Sequence, residues 1–150
     1  MIRDNIKEAL VTAMKARESE KVAALRLIQA AIKNRDIEAR TGAAPADDDV
    51  LVAEVLGKMA KQRRESIEMF EAGGRTELAA REKAELAVIE SFLPKQMDEA
   101  EASAAIRSIV AETGAAGPKD MGRVMALVKE RLAGQLDMSR ASALVKAALA

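Results

Sequence analysis

Three charged residues on two predicted helices come nearest to a chemical site in this sequence. Arg63 and Glu82 each interrupt an otherwise apolar helix stripe. If the two helices form an antiparallel hairpin about residues 73–74, these side chains stand at nearly the same height. We predict an inward-facing ion pair between them, with Glu85 as the substitute partner. A catalytic role is the alternative, but buried charges are normally paired and structural, so we favour a pair that fixes helix register.

The residue types that usually perform catalysis are missing. The chain has no histidine, cysteine or tyrosine, which removes the usual general bases and activated nucleophiles. Serine or lysine could act as a nucleophile, but the sequence indicates no neighbouring base. No glycine-rich phosphate loop follows a strand, because no stretch has a strand pattern. We therefore predict no catalytic residue and no cofactor.

A run of three aspartates, Asp47, Asp48 and Asp49, is the one cluster that suggests a metal site. Ligands for hard metals usually alternate with other residues, whereas carboxylates at a helix start cap free N–H groups and favour the positive end of the dipole. We predict that the run marks a helix N-terminus and that the chain binds no metal.

Charge and hydropathy limit the partners. The 24 basic and 24 acidic residues balance, with 16 and 17 before Pro94 and 8 and 7 from Pro94 on. Neither part has the positive excess of an obligate nucleic-acid binder, so such a contact requires a local patch. No apolar run approaches the ~18 residues of a membrane span, and the first residues lead into an amphipathic helix. We predict a soluble cytoplasmic protein without a membrane segment, and the absence of cysteine is compatible with that location.

Helical periodicity runs through the chain and predicts an all-α fold. An N-terminal four-helix domain is expected over 1–93 and a small three-helix tail domain over 94–150, joined at residues 91–97, where Pro94 ends a helix. In the first domain the apolar positions expected to be buried include Met14 and Leu27, and the apolar residues of the second helix cover more than one stripe, which predicts burial on two sides. The polar stripe of the second helix, interpreted as a solvated face, consists of Arg26, Gln29, Lys33, Asp36 and Arg40.

The tail helices carry local start signals. Asp98 with Glu101 three residues later predicts a capping box, and Pro118 suits the first position of the next helix. Gly122 inside that helix costs about 1 kcal/mol relative to alanine, so we expect it to permit close helix packing rather than backbone approach by a ligand. Ser139 is predicted to cap the last helix.

A set of short motifs is spread over the whole chain. The motifs are Leu25-Arg26 with Ile32-Lys33, residues 61–66 with Phe70, residues 74–79 with Glu82 and Glu85-Leu86, residues 92–96, Met121-Gly122 with Val124-Met125, and Val145-Lys146 with Leu149. In this order and at these spacings they resemble the YqeY-like family, standalone relatives of the tail region of GatB, the tRNA-handling subunit of a glutamine-dependent amidotransferase. Phe92 stands where the family usually has tyrosine, and Ala126 replaces a usual glycine.

The resemblance implies a tRNA-associated accessory module, because the related tail of GatB contacts tRNA outside the catalytic centre. The candidate phosphate contacts are Lys119, Arg123, Arg140 and Lys146, whose alternative role is ordinary solubilising charge. With no tryptophan or tyrosine and two phenylalanines, recognition would use backbone and shape rather than base stacking.

Two other functions compete. A helical protein-interaction module would dock on amidotransferase subunits or another translation factor through an exposed apolar strip. An independent enzyme would belong to the carbon–nitrogen ligases with glutamine as amido donor, the activity class that the resemblance implies. The missing general bases count against it.

Overall fold

The computed structural model describes residues 1–132 and 134–150, and within them the chain is all-α, as predicted, with seven α-helices and no strand. A short 3-10 helix, Pro118–Asp120, precedes the sixth α-helix. The helices are α1 Ile2–Lys15, α2 Ser19–Ala39, α3 Asp48–Ala72, α4 Thr76–Glu90, α5 Glu99–Thr113, α6 Met121–Leu132 and α7 Met138–Leu149.

Helix ends follow the side chains that can satisfy free backbone groups. Asp47 caps α3 by accepting from the Asp49 N–H, so the aspartate run begins a helix, as predicted. The predicted capping box at α5 is confirmed, since Asp98 accepts from the Glu101 N–H and the Glu101 side chain accepts from the Asp98 N–H. Gly74, between α3 and α4, has φ +72°, a conformation that glycine adopts without strain.

Backbone contacts divide the chain into two compact units, Met1–Leu93 and Pro94–Ala150. In the N-terminal unit α3 packs against α4, α1 and α2. The apolar core draws on all four helices, and its most deeply buried large side chains come from one residue of α1, two of α2, two of α3 and one of α4. They are Ile6, Leu25, Ile28, Val52, Leu56 and Ile89.

Two apolar positions of the N-terminal unit are not buried as predicted. Met14 and Leu27 are each about half exposed. The buried positions of α2 form one stripe with helical spacing, Ala24, Leu25, Ile28 and Ile32. Leu27 precedes Ile28 by one residue, which rotates it about 100° around the helix and away from the core. A single buried stripe therefore replaces the predicted burial on two sides.

In the C-terminal unit α7 packs against both α5 and α6. Small and branched side chains at three- and four-residue spacing fill its core. They are Ala102, Ile106 and Ile109 of α5, Val124, Val128 and Leu132 of α6, and Ala141, Val145 and Leu149 of α7.

Two local predictions in this unit are wrong. The α7 cap is Asp137, which accepts from the Ser139 N–H, so Ser139 lies inside the helix that it was expected to cap. Asp137 therefore occupies the N-cap position, and Ser139 is the second residue of the helix. Gly122 is exposed, and a Cβ atom added there would meet no atom within 4 Å, so it does not serve close helix packing.

The segment after Pro94 is held within the C-terminal unit by backbone and side-chain hydrogen bonds. The Met97 N–H donates to the Gln135 carbonyl at 2.9 Å, and the Gln96 side-chain amide donates to the Pro94 and Gly134 carbonyls. This segment therefore runs along the loop after α6. No helix among the described residues has both the length and the apolar character needed to cross a membrane.

Candidate functional site

Arg63, Glu82 and Glu85 lie together in the hairpin of α3 and α4. Arg63 Nε is 3.0 Å from Glu82 Oε2 and 2.9 Å from Glu85 Oε2. The three side chains are 19%, 22% and 26% exposed, so they are largely but not fully withdrawn from water. The structure thus places all three residues of the predicted inward cluster next to one another.

The two carboxylates are not equivalent. A guanidinium Nε carries a single hydrogen, and that of Arg63 donates to Glu85. The close Glu82 Oε2 atom is buried and accepts no hydrogen bond within the described residues, so its attraction to Arg63 is electrostatic only. The site therefore holds one cation between two anions, and Glu85 rather than Glu82 is the hydrogen-bonded partner.

Replacing Arg63 by methionine should lower the free energy of unfolding by about 1–2 kcal/mol. The substitution leaves two partly buried carboxylates facing each other without a cation, and their remaining access to water keeps the effect below that of a fully buried pair. Glu82→Gln is the matched control. It should be close to neutral, because it removes the carboxylate without a hydrogen bond and leaves the Arg63–Glu85 pair intact. Urea unfolding measures both, and equal losses in the two variants would contradict this assignment.

A second charged cluster joins α1, α2 and the start of α3. The Arg3 guanidinium donates two hydrogen bonds to Asp36, both 2.9 Å, and two to Asp48, of 3.1 and 2.8 Å. The Asp49 carboxylate accepts from the Ile2 N–H at 2.9 Å. The first turn of α1 is therefore held by carboxylates from both α2 and α3. The prediction that Asp36 belongs to a solvated face is wrong, because its carboxylate binds Arg3.

These hydrogen bonds change the acidity of the groups. Donation from Arg3 lowers the pKa of Asp36 and the pKa of Asp48, and the same bonds raise the pKa of Arg3. A carboxyl whose pKa is lower in the folded than in the unfolded state stabilises the fold above its unfolded pKa. That contribution disappears as the pH falls through the folded pKa.

Arg3→Gln should therefore reduce stability more at neutral pH than in acid. At about pH 7 we expect a loss of about 1 kcal/mol, a modest figure because Asp36 and Asp48 are partly exposed to water. At about pH 2.5, below the unfolded pKa of the carboxyls, the gap between the variant and the parent should narrow. Urea unfolding at the two pH values measures this difference. A gap that persists unchanged in acid would show that Arg3 stabilises the unit by packing rather than by charge.

The four candidate phosphate contacts are all exposed side chains of the C-terminal unit. Lys119 lies in the 3-10 helix, and Arg123 lies in the first turn of α6, where it pairs with Asp120 at 3.1 Å. Arg140 and Lys146 lie in the first and last turns of α7. Lys146 follows Arg140 by six positions, which places the two side chains about 120° apart around the helix, on opposite sides of its buried stripe.

The acidic run is fully used by protein partners. Asp47 caps α3, Asp48 binds Arg3, and Asp49 accepts from the N-terminal turn of α1. Among the described residues no group of three or more acidic side chains is arranged to hold a metal ion. These aspartates therefore anchor helices, and nothing in their arrangement favours the metal alternative.

Comparison with known proteins identifies the chain's relatives. The family model described as Yqey-like protein matches residues 3–149. The protein named altered inheritance of mitochondria protein 41, mitochondrial, from Eremothecium gossypii is 34% identical over 89 residues, which cover 59% of this chain and 47% of the relative. Its namesake from Lachancea thermotolerans is 28% identical over 116 residues, covering 76% and 60%. The chain thus spans about half the length of these curated relatives.

These names correct one prediction. The relatives, including one from Saccharomyces cerevisiae that is 32% identical over 93 residues, are named as mitochondrial proteins. They point to a mitochondrial rather than a cytoplasmic location, so the prediction of a cytoplasmic protein is wrong on this comparison. The absence of cysteine, which was compatible with the cytoplasm, does not by itself distinguish the two locations.

Proposed function

Because the chain belongs to the YqeY-like family, we propose that it is an accessory module that binds tRNA through the phosphate backbone and performs no chemistry of its own. One observation carries the proposal: the four candidate cations of the C-terminal unit are all exposed, on elements that begin or end next to loops. Exposed lysine and arginine side chains can neutralise backbone phosphates without reading bases. The near absence of aromatic side chains supports recognition by shape.

The charges around these cations favour a modest electrostatic contact. Asp120 holds Arg123, and it also accepts from the Ala116 N–H at 2.9 Å, so its carboxylate stays fixed beside the arginine. Arg131 is engaged by Glu112 through two hydrogen bonds. Lys119, Arg140 and Lys146 make no ion pair within the described residues, and they carry most of the proposed attraction for phosphate.

We further propose that residues 1–93 form a four-helix domain and residues 94–150 a three-helix tail domain, each able to fold alone. Each of the two units has its own apolar core, which supports this division. The tail domain carries the four candidate phosphate contacts.

Direct binding tests the proposal. Labelled tRNA titrated with the whole chain at low salt should show saturable binding, and single-stranded poly(U) should bind more weakly, since the tail offers no aromatic platform for stacking. No tRNA binding at low salt, or a preference for poly(U), would overturn the proposal. An amidotransferase assay at limiting tRNA, run with and without the chain, then measures whether this binding assists that reaction.

A second function, docking on a protein, is favoured by one observation. Met69 is 74% exposed and Leu78 is 36% exposed, on either side of the turn that joins α3 to α4. Large apolar side chains at such a position suit a protein contact. Binding to purified amidotransferase subunits that is lost in Met69→Lys/Leu78→Lys, together with no tRNA binding, would favour this second function over the first.

A further inference from the structure

A cleft between α1 and α2 in the N-terminal unit combines an apolar floor with basic and amide side chains. Its floor is formed by Ile6 and Ile32, both core residues. Lys7 of α1 and Lys33 of α2 line it from opposite helices, together with Gln29. Gln29 and Lys33 belong to the polar stripe of α2, which therefore faces a shared cleft in this region rather than open solvent alone.

We propose that this α1–α2 cleft binds a phosphate group. Two lysines and one glutamine line it, and their ammonium and amide N–H groups are donors that an oxyanion accepts from. The lysines are free to act, because neither forms an ion pair or hydrogen bond within the described residues. Lys7 is nevertheless close enough to Asp48 to help lower the pKa of that carboxyl.

The charges facing the cleft leave it positive. Among the described residues Asp36 is the one carboxylate that lines it, and it shares the positive charge of Arg3 with Asp48. Arg3, Asp36 and Asp48 together therefore carry one net negative charge and fix the wall of the cleft. Lys7 and Lys33 bring the sum of these five groups to one positive charge, which attracts an anion.

The size of the cleft limits what it can enclose. Its volume is about 140 Å³, below the roughly 300–1,000 Å³ typical of pockets that surround a whole small-molecule ligand. It suits one phosphate group, either free in solution or carried by a nucleic-acid backbone. This site is separate from the tail cations, so its existence does not depend on the proposed tRNA contact there.

A titration with inorganic phosphate tests the site directly. NMR spectra of the ¹⁵N-labelled chain should show saturable shifts of the Gln29 side-chain amide and of nearby amides of α1 and α2, at constant ionic strength. Lys7→Gln/Lys33→Gln should weaken this binding roughly tenfold or more, since it removes both charged donors. Lys15→Gln/Lys58→Gln, two exposed lysines of the same unit outside the cleft, should leave it unchanged, and Lys7→Arg/Lys33→Arg should retain it.

Two measurements on Lys7→Gln/Lys33→Gln, phosphate binding and tRNA binding, decide between the possible results. Unsaturable shifts, or equal phosphate binding in Lys7→Gln/Lys33→Gln and in the parent, would overturn the site. If phosphate binding is lost as expected, tRNA identifies the natural source. A matching loss of tRNA affinity supports a nucleic-acid phosphate, and unchanged tRNA affinity supports a free phosphate. Absence of any tRNA binding would reject the proposed function while leaving the phosphate site supported.

Discussion

Replacing Lys119, Arg123, Arg140 and Lys146 together by glutamine is expected to weaken tRNA binding by roughly 100-fold. Each lost phosphate contact removes a release of counterions and an attraction that does not depend on base sequence. The expected loss of affinity is smaller than four complete phosphate contacts would give, for two reasons. Arg123 already pairs with Asp120, and Arg140 and Lys146 lie on different sides of α7.

A charge-matched control separates this contact from general attraction. Lys15, Lys58, Arg75 and Arg81 are exposed residues of the N-terminal unit, and their replacement by glutamine removes the same net charge. We expect this control to lose less than about fivefold in affinity, the effect of overall charge alone. Fluorescence anisotropy of labelled tRNA measures both affinities. Equal losses of affinity in the two variants would contradict the proposal that the C-terminal unit binds tRNA.

Leu56→Ala is expected to lower the free energy of unfolding by about 3 kcal/mol. Leu56 is completely buried at the centre of the N-terminal core, where α3 meets the other helices. Truncation removes buried methyl groups and leaves a cavity that the packed helices can close only in part. For a domain of this size the same loss lowers the melting temperature by roughly 15 °C.

The control for this substitution is Leu27→Ala. Leu27 is 48% exposed, so its loss should change the free energy of unfolding by less than about 0.5 kcal/mol. The pair also tests the proposed domains. If residues 1–93 unfold independently, Leu56→Ala shifts one calorimetric transition and leaves the other in place. A single transition that shifts as a whole would contradict independent folding.

Local signals in the sequence predicted the helices well, because each acts within a few residues. Asp47 and Asp98 cap helices through N–H groups two or three residues away, and Gly74 adopts the conformation that ends the hairpin turn. The wrong prediction of the α7 cap also involves residues only two positions apart. Asp137 and Ser139 are both capping residue types, and backbone geometry decides which of them stands outside the helix.

Side-chain environment was predicted less well, because it depends on distant parts of the chain. Asp36 and Asp48 are 33 and 45 residues from Arg3, and no local pattern indicates that α1 brings these groups together. Leu27 and Gly122 were assigned packing roles from residue type and position within a helix, although their exposure depends on where neighbouring helices pass. The position of Arg63 opposite Glu82 and Glu85 could be anticipated because one tight turn relates the two helices.

The salt dependence of tRNA binding tests the central proposal most directly. About four phosphate contacts should make the affinity of the whole chain for tRNA fall roughly 50- to 100-fold between about 50 mM and about 200 mM monovalent salt. Glutamine at the four tail positions should remove most of that dependence. Binding that is insensitive to salt, or no binding at the lower concentration, would contradict the proposal that this helical chain holds tRNA by its phosphates.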